Sequence, residues 1–378
     1  MRTLLINYVY YNPVGHVVEA LKFSKGLHEA NPDIEIHVAL NRYSPTQLTE
    51  AYPWIAKTYP IDIHEFLTKG PDAACLKRIP RTWDYIMTNT LVLHDLAKTK
   101  TSGRDEKAMG NYVRVSGTLF RASSGTGTFF PKIVFPTGLH YRVDAKVELQ
   151  IPQHTNRFAR RYEHDGPTIC LLLGGSGPYR VYPTISTWIK IIRALNDSFP
   201  NLRIYLTGVR KSEKGRTATS GYTDGRIDKI LKTFRNVVDC YDIGLWNQLA
   251  IIKQSDVFLS PHTGFGSLAP CVNTPWLTIS GGNWPEYFFN HVPFYSVMPD
   301  NPDFPYLGNL EARDENGRPR RIPDMQPHKL EKKIPEIIEG TRLLMTKSFT
   351  YEAALKRHRL NIQRANVRRD KVHLGPFF

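Results

Sequence analysis

Twice along this chain an apolar run of strand-forming residues ends in a glycine-bearing turn and hands over to a helical pattern. That repetition narrows the available folds more than any other feature. The first run is Thr3 to Tyr10, the turn is Asn12-Pro13-Val14-Gly15, and a helix begins near His16 with Val17, Leu21, Phe23 and Leu27 on its apolar face. Asn31-Pro32 stops that helix, and Ile34 to Leu40 reads as the next strand. The second run is Thr168 to Leu173, its turn is Gly174-Gly175-Ser176-Gly177, and a helix follows over Thr184 to Leu195. Strand, turn, helix and strand make the βαβ unit, and strands apolar throughout are those buried on both faces of a parallel sheet. The expected fold is therefore α/β: two Rossmann-like, doubly wound parallel-sheet domains facing across a cleft.

A length of 378 residues suits two such domains. Further strands are predicted at Ile61 to Phe66, Tyr85 to Thr88 and Lys132 to Phe135 in the first. In the second they are predicted at Leu202 to Leu206, Val237 to Cys240, Val257 to Ser260, Trp276 to Ile279 and Phe294 to Val297. The polar stretch from Lys146 to Gly166 reads as a linker. The expected division is 1–160, 161–345 and a basic tail, 346–378, packing back toward the first domain.

Hydrophobic residues at 41% and charged residues at 22% exclude a disordered or fibrous chain. Cys75, Cys170, Cys240 and Cys271 lack C-x-x-C spacing, so neither a disulfide framework nor a zinc site is expected. No cleavable leader follows the start, and no stretch approaches the roughly 20 apolar residues that span a bilayer. A cytoplasmic protein is expected. Its net charge of +15 attracts anions. Residues 350–378 hold seven Lys/Arg against Glu352 and Asp370, which is either a solvated helix face or a peripheral contact with an anionic membrane. A nucleic-acid-binding protein is the reading from another class. Against it, zinc-finger spacing is missing and no aromatics interleave the basic tail.

The most informative stretch runs from Ser255 to Trp276. A strand enters His262-Thr263-Gly264-Phe265-Gly266-Ser267, and a short helix leads to the next strand. Amides at such a turn attract phosphate, glycine lets backbone approach a ligand, and the Thr263 and Ser267 hydroxyls would add donors. The same loop would also serve as a purely structural turn.

The spacing H-x-G-x-x-S, followed after six residues by Thr274-Pro275, resembles the nucleotide-sugar loop of GT-B-fold glycosyltransferases. His262-Thr263-Gly264 and Asn273-Thr274-Pro275 are similar to the Asp-Ser-Gly and Gly-Thr-Pro of the family 9 heptosyltransferases. His-x-Gly-x-x-Ser is the family 1 pattern, although Pro270 stands where that family has an acidic residue. The stretch Asp242-Ile243-Gly244-Leu245 resembles the turn that contacts the base, and Leu249, Ala250, Ser255 and Asp256 match the helix pattern L-A-x-x-x-x-S-D after it. Gly174-Gly175-Ser176 and Thr207-Gly208 stand where the family has its other turns.

The resemblance implies a nucleotide-sugar donor and transfer to an acceptor hydroxyl in glycan, glycoconjugate or natural-product biosynthesis. The same fold serves nucleotide-sugar 2-epimerases, which act without an acceptor. Histidine titrates near neutrality, which makes His16, opening a helix at the rim of the first sheet, the candidate base. A structural helix-start role is its alternative. Glu19 could orient it or be a solvated helix residue, and His94-Asp95 is a weaker pair. Arg180, Arg210 and Lys211 are candidate cations for the leaving diphosphate, and Glu286 a candidate acceptor from the donor's sugar or ribose. The chain has no D-x-D, the usual carboxylate pair for a divalent ion on a diphosphate, so no metal or other cofactor is expected.

Overall fold

The computed structural model describes residues 1–9, 14–88, 120–128, 134–175, 182–210, 224–279, 290–297 and 330–364. These divide into two units, the first ending at Val147.

The first unit contains β1 (Arg2–Tyr8), α1 (Val14–Ala30), β2 (Ile34–Asn41), α2 (Gln47–Glu50), β3 (Ile55–Ile61), α3 (Ile63–Lys69), β4 (Thr82–Thr88) and β5 (Arg121–Thr128). Its sheet is parallel in the order β3-β2-β1-β4-β5, with Leu4, Leu5 and Ile6 of β1 fully buried at its centre. The winding reverses between β1 and β4. The strand expected over Ile61 to Phe66 is instead the end of β3 followed by α3. Between them the Asp62 carboxylate accepts the Glu65 amide at 3.2 Å, a helix-starting bond. Of the strand expected at Lys132 to Phe135, residues 132 and 133 lie outside the described residues, and Val134 forms an isolated antiparallel bridge with Thr128.

The second unit contains α4 (Gln153–Ala159), β6 (Thr168–Leu172), α5 (Ile185–Ser198), β7 (Arg203–Gly208), α6 (Asp224–Thr233), β8 (Val237–Tyr241) and α7 (Leu245–Gln254). It continues through β9 (Val257–Pro261), α8 (Leu268–Cys271), β10 (Trp276–Ile279), β11 (Phe294–Val297), α9 (Ile334–Met345) and α10 (Tyr351–Arg364). Its parallel sheet runs β11-β10-β9-β6-β7-β8, so the winding reverses between β6 and β9. Thr184 caps α5 by accepting the Thr187 amide, and Trp188, Ile191, Ile192 and Leu195 bury that helix's apolar face completely.

The boundary at Val147 falls earlier than the expected 160, because the polar stretch after it is folded. The Leu149 amide donates to the Cys271 carbonyl at 2.7 Å, Asn273 donates to Glu148 at 2.8 Å, and α4 packs on α7. Helix α10 packs on elements of the second unit. Tyr351 and His358 meet Phe294 of β11, while Arg357 pairs with Glu336 of α9 and lies over the Tyr295 ring. Among the described residues no helix is long and apolar enough to cross a membrane.

Each sheet is fastened at the start of the strand pair where its winding reverses. The Asp256 carboxylate accepts the Thr168 amide at 2.8 Å and its hydroxyl at 2.9 Å, while the Asp256 amide donates back to that hydroxyl at 3.0 Å. In the first unit Asp84 accepts the Thr3 amide at 2.7 Å and its hydroxyl at 3.2 Å, and returns its own amide at 3.2 Å. The amide bond from Thr3 is the largest of the contacts that lower the Asp84 pKa.

Candidate functional site

In the second unit, β9 ends at Pro261 and the chain turns through His262 to Ser267 into α8. The Thr263 hydroxyl accepts the Gly266 amide at 2.9 Å, and the fully buried Ser267 hydroxyl donates to the Thr263 carbonyl at 3.5 Å. Both hydroxyls thus take part in holding the loop's own shape. The amides of Thr263, Gly264, Phe265 and Ser267 take no acceptor among the described residues. His262 is exposed, and its amide donates to the Ile279 carbonyl at 3.1 Å.

Glycine is required in this loop for packing. A Cβ on Gly266 would lie 2.3 Å from the Trp276 ring, whose Nε1 donates to the Ser260 hydroxyl at 3.0 Å. A Cβ on Gly175 would lie 2.9 Å from the Thr263 methyl and 3.0 Å from the Tyr182 hydroxyl. Gly174 beside it is buried. The turns after β6 and β9, far apart in sequence, thus touch beside the point where the winding reverses. In open α/β sheets ligands bind in the crevice there, at the carboxyl ends of the strands. Amide N–H groups without an acceptor carry partial positive charge.

The second candidate patch lies at the ends of β7 and β8. Asp242 has φ 56° and Gly244 φ 87°, so the chain makes a left-handed turn into α7, with Ile243 and Leu245 half-buried and Asp242 exposed. The Asp242 amide and the Gln248 side-chain amide both donate to the Gly208 carbonyl, at 3.1 and 3.0 Å. Thr207, a candidate for donor contact, is fully buried, and its hydroxyl donates to the Leu171 carbonyl inside the sheet at 3.3 Å.

Arg210, a candidate cation for the leaving diphosphate, lies among carboxylates. Its guanidinium lies 2.5 Å from Asp239 and 3.2 Å from Asp224, with Asp228 at 3.8 Å and Asp242 at 3.9 Å. Desolvation works against its charge, but the bonds and fields of Asp224 and Asp239 more than offset it, and the pKa rises. The candidates Ser176, Arg180, Lys211 and Glu286, and the pair His94-Asp95, lie outside the described residues.

In the first unit, His16 occupies the first turn of α1, half-buried, with Nδ1 2.8 Å from a Glu19 carboxylate oxygen one turn on. Its ring centroid is 6.2 Å from that of Tyr8, the last residue of β1. The Glu19 side chain is itself largely buried, 17% exposed.

Two parallel doubly wound sheets in one chain, with glycine turns at the second sheet's reversal point, define the GT-B architecture. The solved structure of a glycosyl transferase family 9 protein from Veillonella parvula DSM 2008 has this fold with a TM-score of 0.55 at 11% identity, the match covering 92% of this chain and 98% of that one. Also similar are E. coli ADP-heptose lps heptosyltransferase II (TM-score 0.49, 13% identity, covering 90% and 99%) and the UDP-GlcNAc 2-epimerase of Methanocaldococcus jannaschii (TM-score 0.43, 13% identity, covering 79% and 89%). No family model matches the sequence, and no curated protein does.

Proposed function

We propose that this chain is a glycosyltransferase whose second unit holds a nucleotide-sugar donor and that transfers the sugar to an acceptor hydroxyl. The observation that carries the reading is the meeting of the Gly174-Gly175 turn with the Thr263–Ser267 loop beside the β6/β9 reversal, with amides left free for an anion. Fixed N–H dipoles of this kind stabilise a departing diphosphate without reorganising during the reaction. No step needs a metal ion in this reading, which rests on the lack of a D-x-D in the sequence.

His16 is the base of the proposal. Its bond to Glu19 favours a proton on Nδ1, and in this proposal Nε2 takes the acceptor's proton. The deprotonated oxygen then attacks the anomeric carbon as the glycosidic bond to the diphosphate breaks, so the configuration inverts. The chain works in the cytoplasm in this proposal, and its positive charge draws it to anionic membrane carrying a lipid-linked acceptor.

Thermal-shift measurements against nucleoside diphosphates and their sugars, in EDTA, test the donor site. One base-specific diphosphate that raises Tm without a divalent ion is the expected result, and silence across the panel would sink the reading. Once transfer is measured, His16→Ala is expected to slow it about 10²–10⁴-fold while leaving donor affinity unchanged. Solvent hydrogen appearing in the donor with no acceptor present would mark a 2-epimerase instead.

A further inference from the structure

One of the three cations expected at the diphosphate is engaged with carboxylates. Arg210 follows β7, and its guanidinium faces Asp224 and Asp228 on α6, Asp239 on β8 and Asp242 in the turn after β8. Four carboxylates around one guanidinium leave a surplus of negative charge, which repels a diphosphate. The contacts of Arg210 are instead those of a brace. Its own amide donates to Asp242 Oδ1 at 3.0 Å, and its guanidinium carbon lies 5.0 Å from the centre of the Tyr241 ring. It thereby ties the ends of β7 and β8 and the start of α6 to one turn. That turn needs holding, because a non-glycine residue at φ 56° is disfavoured by its own Cβ.

We infer that Arg210 is a positioning residue that fixes the Asp242–Gly244 turn, and through it the nucleoside end of the donor, and does not meet the phosphates. The inference rests on reading the second unit as a nucleotide site. It divides the labour between two patches: loop amides at the β6/β9 reversal take the diphosphate, and the braced turn takes the nucleoside.

Calorimetry with the full chain separates the roles. Affinities for a nucleoside, its monophosphate and its diphosphate are measured for the wild type, Arg210→Ala and Arg210→Lys. Backbone hydrogen exchange of Ile243 to Leu245 is followed without ligand. Arg210→Ala is expected to weaken all three ligands by one shared factor of about tenfold or more and to speed exchange in the turn. Arg210→Lys keeps the charge without the fork, and its losses should fall between wild type and Ala.

A loss confined to phosphate-bearing ligands would overturn the inference and restore Arg210 as a phosphate ligand. A lower Tm with all three affinities intact would overturn it in favour of a purely structural brace. If the wild type binds none of the ligands, the nucleotide reading itself fails. Exchange still decides by itself whether Arg210 holds the turn, and unchanged exchange in Arg210→Ala would overturn that part too.

Discussion

Left-handed backbone disfavours every side chain with a Cβ, and asparagine tolerates it better than most. Asn273 sits at φ 64° just before Thr274-Pro275, where the resembling family has glycine, and its side chain also reaches Glu148. Asn273→Ala is expected to cost about 1–2 kcal/mol in urea denaturation, and Asn273→Gly less. Gly266→Ala drives a methyl into the Trp276 ring and should cost about 1–3 kcal/mol by overpacking, measured in the same way. These positions also mark what was legible residue by residue. The spacing of His262 to Ser267 drew attention to the loop that meets the turn after β6. The direction of the Thr263 and Ser267 hydroxyls is set by a turn that sequence does not encode. The partners of Arg210 are scattered from Asp224 to Asp242 with no motif spacing, so the sequence presented a cation and hid its counter-charges.

Among elements, α10 depends on a buried imidazole. His358 is 1% exposed against Phe294, and burial pushes its pKa down to about 3. It stays neutral in the folded protein while the unfolded chain, with an ordinary value near 6.5, takes up a proton. The stability it supports is therefore full above about pH 6.5 and is lost as pH falls toward 3, by up to about 1.4 kcal/mol per pH unit. Denaturation midpoints at pH 7 and pH 5 should separate for the wild type and draw together in His358→Leu; an equal gap in both would refute the assignment. Legibility at this scale followed burial. The strands of the second sheet, apolar on both faces, were read nearly to their ends. Strand β5, Arg-Ala-Ser-Ser-Gly-Thr-Gly-Thr, was missed because an edge strand with exposed residues carries little of the apolar signal by which strands are recognised. Ile61 to Phe66 failed differently, since one apolar run spans the end of a strand and the start of a helix.

For the whole molecule, the alternation of strand and helix was enough to give two doubly wound sheets, because burial on both faces leaves a plain apolar signature. The join between them was less legible, since a polar segment can be either linker or surface helix. A fragment of residues 148–378 is expected to unfold cooperatively, and one of residues 161–378, lacking α4 and the bonds to Cys271 and Asn273, at a lower urea midpoint. Equal midpoints would show that residues 148–160 add nothing to the second unit. The threonine–aspartate clasps have a further consequence, which is one of length. A strand can slip past its neighbour by two residues and keep its inward and outward faces, so the apolar pattern alone does not forbid the error. Such a slip would carry the loop at the far end of β9 about 6.6 Å along the strand direction, out of reach of the turn after β6. Thr168 and Asp256 exclude it, because their three bonds close at a single offset. The clasp works as the zero mark of a ruler: fixed at the start of two central strands, it sets the height of the free amides past their far ends.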